Sequence, residues 1–274
     1  MTVDVEDYFQ VSAFENYISR DSWNKLNTRV EANIERILLI FSDHNVSATF
    51  FTLGWIAERH PEMVKKIVDA GHELASHGYS HIRVTQQNPS EFREDIVKTK
   101  GLLEDIGGVE VQGYRAASYS IDSSNHQWAH EALDAAGHKY SSSIYPIKHD
   151  LYGIPDAPRH PYKITNLDLL EIPISTISIY NHRLPCGGGG FFRLFPYMIS
   201  RKMIEHVNQK EQEPCMFYFH PWEIDIDQPV VKGLNFKSRF RHYLNLKKMN
   251  TRLTRLLDDF TWGRVDSVYL DRIA

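Results

Sequence analysis

Seven short apolar runs alternate with helix-patterned segments along this chain, and no other feature narrows the fold as far. The runs cover residues 2–5, 46–53, 72–76, 111–116, 139–144, 169–174 and 215–219. Between the first two, Val30, Ile34, Ile37, Leu38 and Phe41 recur at helical spacing over 29–44. Ile56, Met63, Ile67 and Val68 mark the next helix, which Ala70-Gly71 stops. Asn88-Pro89-Ser90 opens a third, with Phe92, Ile96, Leu102, Leu103 and Ile106 on its apolar side. Two more follow over 123–136 and 196–211. Such alternation predicts parallel strands joined by right-handed crossovers. With no repeat and no linker, the expectation is a single α/β domain: an incomplete (distorted) (β/α)7 barrel, or alternatively an open doubly wound sheet. A short extra strand is expected near 177–180 and a glycine-rich turn over 185–190. Phe236, Phe240, Tyr243, Leu244, Leu253, Leu256 and Leu257 predict a C-terminal helical extension, one long helix or a broken one, with the basic stretch 232–255 as its solvated face.

Composition excludes little but is consistent. The 274 residues carry a net charge of -4, which gives no reason to expect nucleic acid or a membrane surface as partner. No stretch approaches the ~20 apolar residues of a membrane span. The only cysteines, Cys186 and Cys215, make no disulfide framework and read as free thiols in a reducing compartment. The chain opens directly on a strand-like, acidic stretch with no signal peptide, so cytoplasmic placement is the expectation. The long Pro-rich stretch 145–165 reads as a functional loop.

In parallel α/β folds, sites form at the carboxyl ends of the strands. The first run ends in Asp4, Glu6 and Asp7. The third ends in His77 and His81, the fourth in Arg115 with Tyr119 close behind, and the seventh in His220, Pro221, Trp222 and Glu223. Scattered, each has a bland reading: a helix cap, a surface ion pair, a core histidine. Together at successive strand ends they point to chemistry. Two imidazoles and a carboxylate form a three-ligand divalent-metal site with open positions. A further carboxylate then serves as base, an arginine holds it, and a distant histidine serves as acid. His126 and His130 share the four-residue spacing of His77 and His81, but sit mid-helix with no strand-end carboxylate evident nearby. Gly187 to Gly190 is no phosphate loop, since no Gly-Lys-Ser/Thr ending follows.

On these residues the chain resembles the NodB-type polysaccharide deacetylases, carbohydrate esterase family four, and most of all a branch associated with exopolysaccharide and exosortase loci. The likeness spans nearly the whole of 1–274, with a branch-typical part from about 185 to 274. Thr2-Val3-Asp4-Val5-Glu6-Asp7 stands for the first motif and Ser76-His77-Gly78-Tyr79-Ser80-His81 for the second. Arg115-Ala116-Ala117-Ser118-Tyr119-Ser120 stands for the third, and Phe219-His220-Pro221-Trp222-Glu223 for the fifth. The run from His149 to Arg159 and the stretch Gly188-Gly189-Gly190-Phe191-Phe192-Arg193-Leu194 resemble that branch.

The resemblance implies Asp4 as base, Arg115 as its partner and His220 as the acid that protonates the departing amine. His77 and His81 would bind the metal, zinc in the family, with one N-terminal carboxylate. Glu6 is the expected carboxylate, since side chains alternate from Asp4, with Asp7 the alternative if the strand ends early. A backbone N–H near Tyr119 would help hold the oxyanion. Tyr119, Trp222, Asp150 and Arg159 are the expected substrate-binding residues. The fourth motif departs: Ser141, Ser142 and Ser143 stand where an aspartate is expected, and Asp150 is the carboxylate left to orient His220. The implied activity is removal of acetyl from N-acetylhexosamine in a bacterial exopolysaccharide or its precursor. The alternatives are a small-amide (ureide-type) hydrolase on the same site and an inactive carbohydrate-binding protein.

Overall fold

The computed structural model of the chain describes residues 1–148, 153–180 and 182–270. Strand β1 (Thr2–Val5) leads into a segment of two 3-10 turns and then helix α1 (Val30–Asp43). Next come β2 (Thr49–Thr52), α2 (Gly54–Arg59), α3 (Pro61–Asp69) and β3 (Glu73–Ser76). The single helix expected across Ile56 to Val68 is two, because Pro61 donates no N–H and starts a new first turn. Helix α4 (Pro89–Gly107) begins in a full capping box, Asn88 accepting from Glu91 N and Glu91 answering to Asn88 N. Then follow β4 (Gly113–Tyr114), α5 (His126–Ala135) and β5 (Tyr140–Ser141).

The second half holds β6 (Tyr162–Lys163), β7 (Leu170–Glu171) and a hairpin of β8 (Thr176–Ile179) with β9 (His182–Pro185). Neither β6 nor β9 is legible in the apolar pattern, since both are short and largely solvent-facing. The glycines expected as a plain turn open α6 (Gly189–Leu194) instead. Helix α7 (Tyr197–Gln209), β10 (Tyr218–Phe219), α8 (Phe236–Tyr243) and α9 (Leu246–Asp259) complete the chain. The C-terminal helix is the broken one: Asn245, at φ 53°, separates α8 from α9. Both helices show the solvated face expected: α9 exposes Lys247, Lys248 and Arg255 and buries Leu246, Met249, Leu253, Leu256 and Leu257 on its other side.

One sheet runs β10-β1-β2-β3-β4-β5-β7-β6, with all neighbours parallel except the edge strand β6. The seven parallel strands are the seven apolar runs. β7 and β10 do not pair, so the curled sheet is an incomplete barrel. Its inner core includes Phe51, Ala75, Tyr140, Ile172 and Met216, closed below by Val265 and Tyr269 of the C-terminal segment. The helices bury their apolar faces outside, around Ile34, Phe41, Phe50 and Met249. This leaves the carboxyl ends of the strands open for polar side chains.

Candidate active site

β1 carries Asp4 to the rim of the barrel and breaks directly after it. Glu6 N donates to the Asp4 carbonyl (3.0 Å), a tight three-residue turn that ends the strand at Val5. This turn, and not the alternation of an unbroken strand, brings Glu6 to 3.2 Å from His81 Nε2. Asp7 faces away. Its carboxylate accepts from the N–H groups of Tyr8 (2.8 Å), Arg29 (2.6 Å) and Val30 (3.0 Å), covering the start of α1.

The histidine pair rides a pinned loop. Gly78, at φ +72°, makes a turn that an L side chain adopts only under strain. Its carbonyl accepts from Gly54 N (3.0 Å), and that of Tyr79 from Trp55 N (2.9 Å), at the start of α2. Asp95 of α4 takes Tyr79 N (2.7 Å). His77 Nδ1 donates to the Arg115 carbonyl (2.8 Å), which fixes the tautomer and leaves Nε2 a lone pair facing the site. Burial lowers the pKa of both imidazoles, that of His81 well below its ordinary value with His77 adding to the effect. Both therefore stand neutral and ready to ligate at pH 7.

Arg115 is fully buried behind Asp4. It donates to Asp4 Oδ1, to Thr2 Oγ1 (2.8 Å), and to the carbonyl (3.3 Å) and hydroxyl (3.1 Å) of Ser142. The Phe51 ring lies 3.9 Å from the guanidinium carbon. The serines that replace the expected fourth-motif aspartate thus hold the arginine: Ser142 directly, and Ser143 through Ala116 N (3.0 Å).

His220 is oriented by a neighbour that the aspartate expectation overlooks. Its Nδ1 meets Glu223 Oε1 at 2.8 Å, within the 3-10 turn that Pro221 begins. Glu223 Oε2 accepts from Arg193 Nε (2.6 Å). Arg193 in turn donates to the carbonyls of Arg241, His242 and Leu244. Both Arg193 and Glu223 are buried. Gly189 makes room for them, because a Cβ there would lie 2.3 Å from Glu223 Oε1. A signal for Glu223 exists in the sequence, an acid three residues after His220 with proline between; none pairs Arg193 with it. Burial alone would raise the Glu223 pKa, but Arg193 and His220 hold it at about 2. Burial alone would lower the His220 pKa, but Glu6, Glu223 and Asp4 push it to about 9. Its Nε2 lies 3.0 Å from Glu6 Oε1 and 4.0 Å from Asp4 Oδ2.

These groups surround a cleft of about 160 Å³, lined also by Ser12, Ser118, Tyr119, Tyr218 and Trp222. Tyr119 therefore reaches the site, packed edge-on against Tyr145 and Tyr218. Its own backbone N–H is taken by the Ala116 carbonyl (3.0 Å). Trp222 presents no free face for a sugar. It is stacked between His220 (ring centres 5.2 Å apart) and His242 (4.1 Å) and is 5% exposed. Arg159 does not join the cleft: its guanidinium closes on Glu211 (2.8 and 2.9 Å) and on Thr176. An arginine in a Pro-rich loop reads as exposed in sequence, but here it ties that loop to the end of α7. Asp150 lies outside the described residues. Cys186 and Cys215 are free and buried.

Among the described residues one set of three candidate ligands converges: Glu6, His77 and His81, with ligand atoms within 4.8 Å of one another. Glu6 Oε2 is buried and accepts no hydrogen bond, although His81 Nε2 is close. Burial lifts the Glu6 carboxyl to about 7, with His220 pulling the other way. A divalent cation fits this donor set, since it would satisfy the orphan oxygen and relieve the cost of the buried charge. No helix among the described residues is long and apolar enough to cross a membrane.

Residues 21–140 match the family described as polysaccharide deacetylase, and residues 142–270 match a domain of unknown function, DUF3473. The two matched segments build one sheet, because Tyr140 of β5, at the end of the first, pairs with Leu170 of β7 in the second. The chain is 38% identical over 96 residues to a peptidoglycan-N-acetylglucosamine deacetylase of Bacillus cereus, which is 35% of each protein. It is 32% identical over 114 residues to a peptidoglycan deacetylase of Helicobacter pylori, 42% of this chain and 38% of that one. The chain thus spans little more than a third of the length of these two relatives. Among solved structures, a "putative polysaccharide deacetylase" from Mycobacterium smegmatis superposes with TM-score 0.62 at 19% identity, over 99% of this chain and 90% of that one. An allantoinase superposes with TM-score 0.56 at 17% identity, over 86% and 71%. The fold is thus shared by proteins with different names, and the fold alone does not choose the substrate.

Proposed function

We propose that this protein is a metal-dependent deacetylase that removes N-acetyl groups from N-acetylhexosamine units of a bacterial exopolysaccharide or its precursor, acting in the cytoplasm, with the whole of 1–274 as its working unit. The observation that carries the reading is the convergence of a three-ligand set, an arginine-held carboxylate and a carboxylate-held histidine around one cleft. The polysaccharide deacetylase match over 21–140 supports the choice of an N-acetylated glycan over a small amide.

Glu6, His77 and His81 would hold the cation, zinc by the family resemblance, in a donor set that also suits iron, cobalt or nickel. When bound, the metal supplies a Lewis acid that polarises the acetamide carbonyl and acidifies water. Asp4, held by Arg115, which also donates to Thr2, takes the proton from the attacking water. His220, with Nδ1 held by Glu223, presents Nε2 and passes a proton to the nitrogen as its bond to the carbonyl carbon breaks. Acetate and a free amine result. Tyr119, Tyr218 and the Trp222 edge wall the cleft and limit water.

The test is acetate release from a panel of N-acetylated glycans, measured with metal content on the same samples. Activity that tracks bound metal, and falls away with chelator, supports the reading. Full activity in metal-free protein overturns the metal mechanism, and acetate release from small amides alone overturns the glycan substrate.

A further inference from the structure

The two histidines of the site are not held alike. His77 is fixed at ring and backbone: Nδ1 donates to the Arg115 carbonyl (2.8 Å), and its main-chain N–H to the Thr52 carbonyl (3.1 Å). His81 Nε2 faces Glu6, and among the described residues no hydrogen bond holds its other ring nitrogen. A metal-binding histidine is ordinarily aimed by a partner on that second nitrogen. The aim of His81 therefore rests on its backbone. That backbone stands at φ +52°, a region uncommon for a residue with a side chain.

The group that holds it is Arg20, the first residue of the second 3-10 turn between β1 and α1. Its Nε donates to the Ser80 carbonyl (3.0 Å) and its Nη2 to the His81 carbonyl (3.0 Å). The torsion φ of His81 is defined between these two carbonyl carbons, and one planar guanidinium edge grips the oxygen on each. Glu15 anchors the guanidinium. Its Oε1 accepts from Arg20 Nη2 (3.2 Å) and Gln86 Nε2 (3.2 Å), and its Oε2 from Arg83 Nη2 (2.7 Å). Arg83 and Gln86 follow His81 in the chain, so Glu15 closes a buckle over the loop that carries the ligand.

Charge works against this arrangement. Beyond burial and the other two histidines, Arg20 and Arg83 disfavour a proton on His81, and by the same repulsion they disfavour a cation beside it. Acting through charge alone, Arg20 would weaken the metal, and its removal would tighten binding. Acting through the two carbonyls, it places the ligand, and its removal would loosen binding. The two roles differ in sign.

We propose that Arg20 is a positioning residue of the metal site, setting the left-handed turn at His81 through the Ser80 and His81 carbonyls, with Glu15 as its anchor. The proposal rests on the reading of Glu6, His77 and His81 as metal ligands and deepens it. The test is zinc affinity of the full chain, stripped of metal and titrated in competition with a chromophoric chelator. Arg20→Ala should weaken zinc at least about tenfold, against the sign expected from charge. Arg20→Lys keeps the charge, but a single ammonium does not reproduce a planar fork across two carbonyls, so it should recover only part of that factor. Glu15→Gln should weaken zinc in the same direction by a smaller factor. Near-UV circular dichroism of the zinc-free variants shows that the loss is read on the native fold, and the two conservative variants carry the test if Arg20→Ala does not fold.

Zinc bound by Arg20→Ala as tightly as by the wild type, or more tightly, overturns the proposal and leaves the metal site standing. Full recovery in Arg20→Lys overturns the two-carbonyl grip. A wild type that takes up neither zinc nor cobalt overturns the metal-site reading, and this proposal with it.

Discussion

The chain carries two histidine pairs with identical spacing, and they end up in different surroundings. His77 and His81 follow β3 on a loop bent by Gly78, and both rings are buried with centres 5.4 Å apart. His126 and His130 sit on α5 with ring centres 6.5 Å apart; His126 is exposed and His130 buried. Each pair has a carboxylate beside it. Glu6, next to His81, has an oxygen without a hydrogen bond. Glu171, next to His130 at 3.3 Å, is used up: its other oxygen accepts from Ser143 N (2.8 Å) and Ile144 N (2.9 Å). Four-residue spacing therefore makes neither a site nor a decoy. What separates the pairs is whether the neighbouring carboxylate has spare acceptor capacity and whether both imidazoles can face it.

The sharpest way to break this comparison is to remove one histidine from each pair. His77→Ala should lose bound metal on desalting and lower acetate release by at least about a thousandfold, ~4 kcal/mol of barrier. His130→Ala should keep metal and kcat, and lose about 1–3 kcal/mol of stability because Glu171 is left one partner short. Metal content and turnover on folded protein check both. If His130→Ala lost the metal and His77→Ala kept it, the assignment of the pairs would be reversed.

The carboxylates of β1 sharpen it next. Glu6→Ala should release the metal and with it the activity. Asp7→Ala should leave metal content unchanged and lower the unfolding free energy by about 1–2 kcal/mol, since it caps α1. This pair of variants also measures how far the sequence could be read. Asp4 and the histidines were legible because strand ends are legible. The choice between Glu6 and Asp7 was not, because it hangs on a turn of one residue after Val5. Alternation favours Glu6 for a strand that continues, and here the strand stops.

A smaller effect is expected where the sequence was least informative. Glu223→Gln keeps the size of the side chain but weakens the link from Arg193 to His220, and kcat should fall about 10–100-fold with metal content intact. A drop in KM alone would remove Glu223 from the chemistry. The expected aspartate near Ser141–Ser143 was a family pattern; among the described residues His220 is instead oriented through Glu223 and Arg193. Arg193 could not be paired with Glu223 in advance, because thirty residues and a helix separate them in sequence while the glycine-rich opening of α6 joins them in space. Arg159 failed for the converse reason: its partner Glu211 lies fifty-two residues away, and only the fold shows the two meeting.

The gentlest probe of the comparison is pH, because the two carboxylates carry opposite signs. In metal-free protein the Glu6 pKa is about 7 against an ordinary 4.5, chiefly through burial. Between those values the unfolded chain holds fewer protons than the folded one, so Glu6 costs stability as pH rises from 4.5 to 7, by at most about 3 kcal/mol. Glu171 is also opposed by burial, but His130, Ser141 and Ile144 outweigh it and set its pKa below 4.5. Its contribution is present above 4.5 and disappears as pH falls through the folded value. Because Glu73, His72 and His138 also titrate in this range, the two contributions are read as differences between wild type and variant in denaturant unfolding of the chelated protein from pH 3 to 8. Glu6→Gln should flatten the fall between 4.5 and 7 and leave the acid limb. Glu171→Gln should flatten part of the acid limb and leave the fall. Saturating metal should remove the Glu6 slope, since a bound cation keeps that carboxylate ionised, and should not touch the Glu171 slope. A metal effect on the Glu171 limb would mean that the second pair is coupled to the site after all.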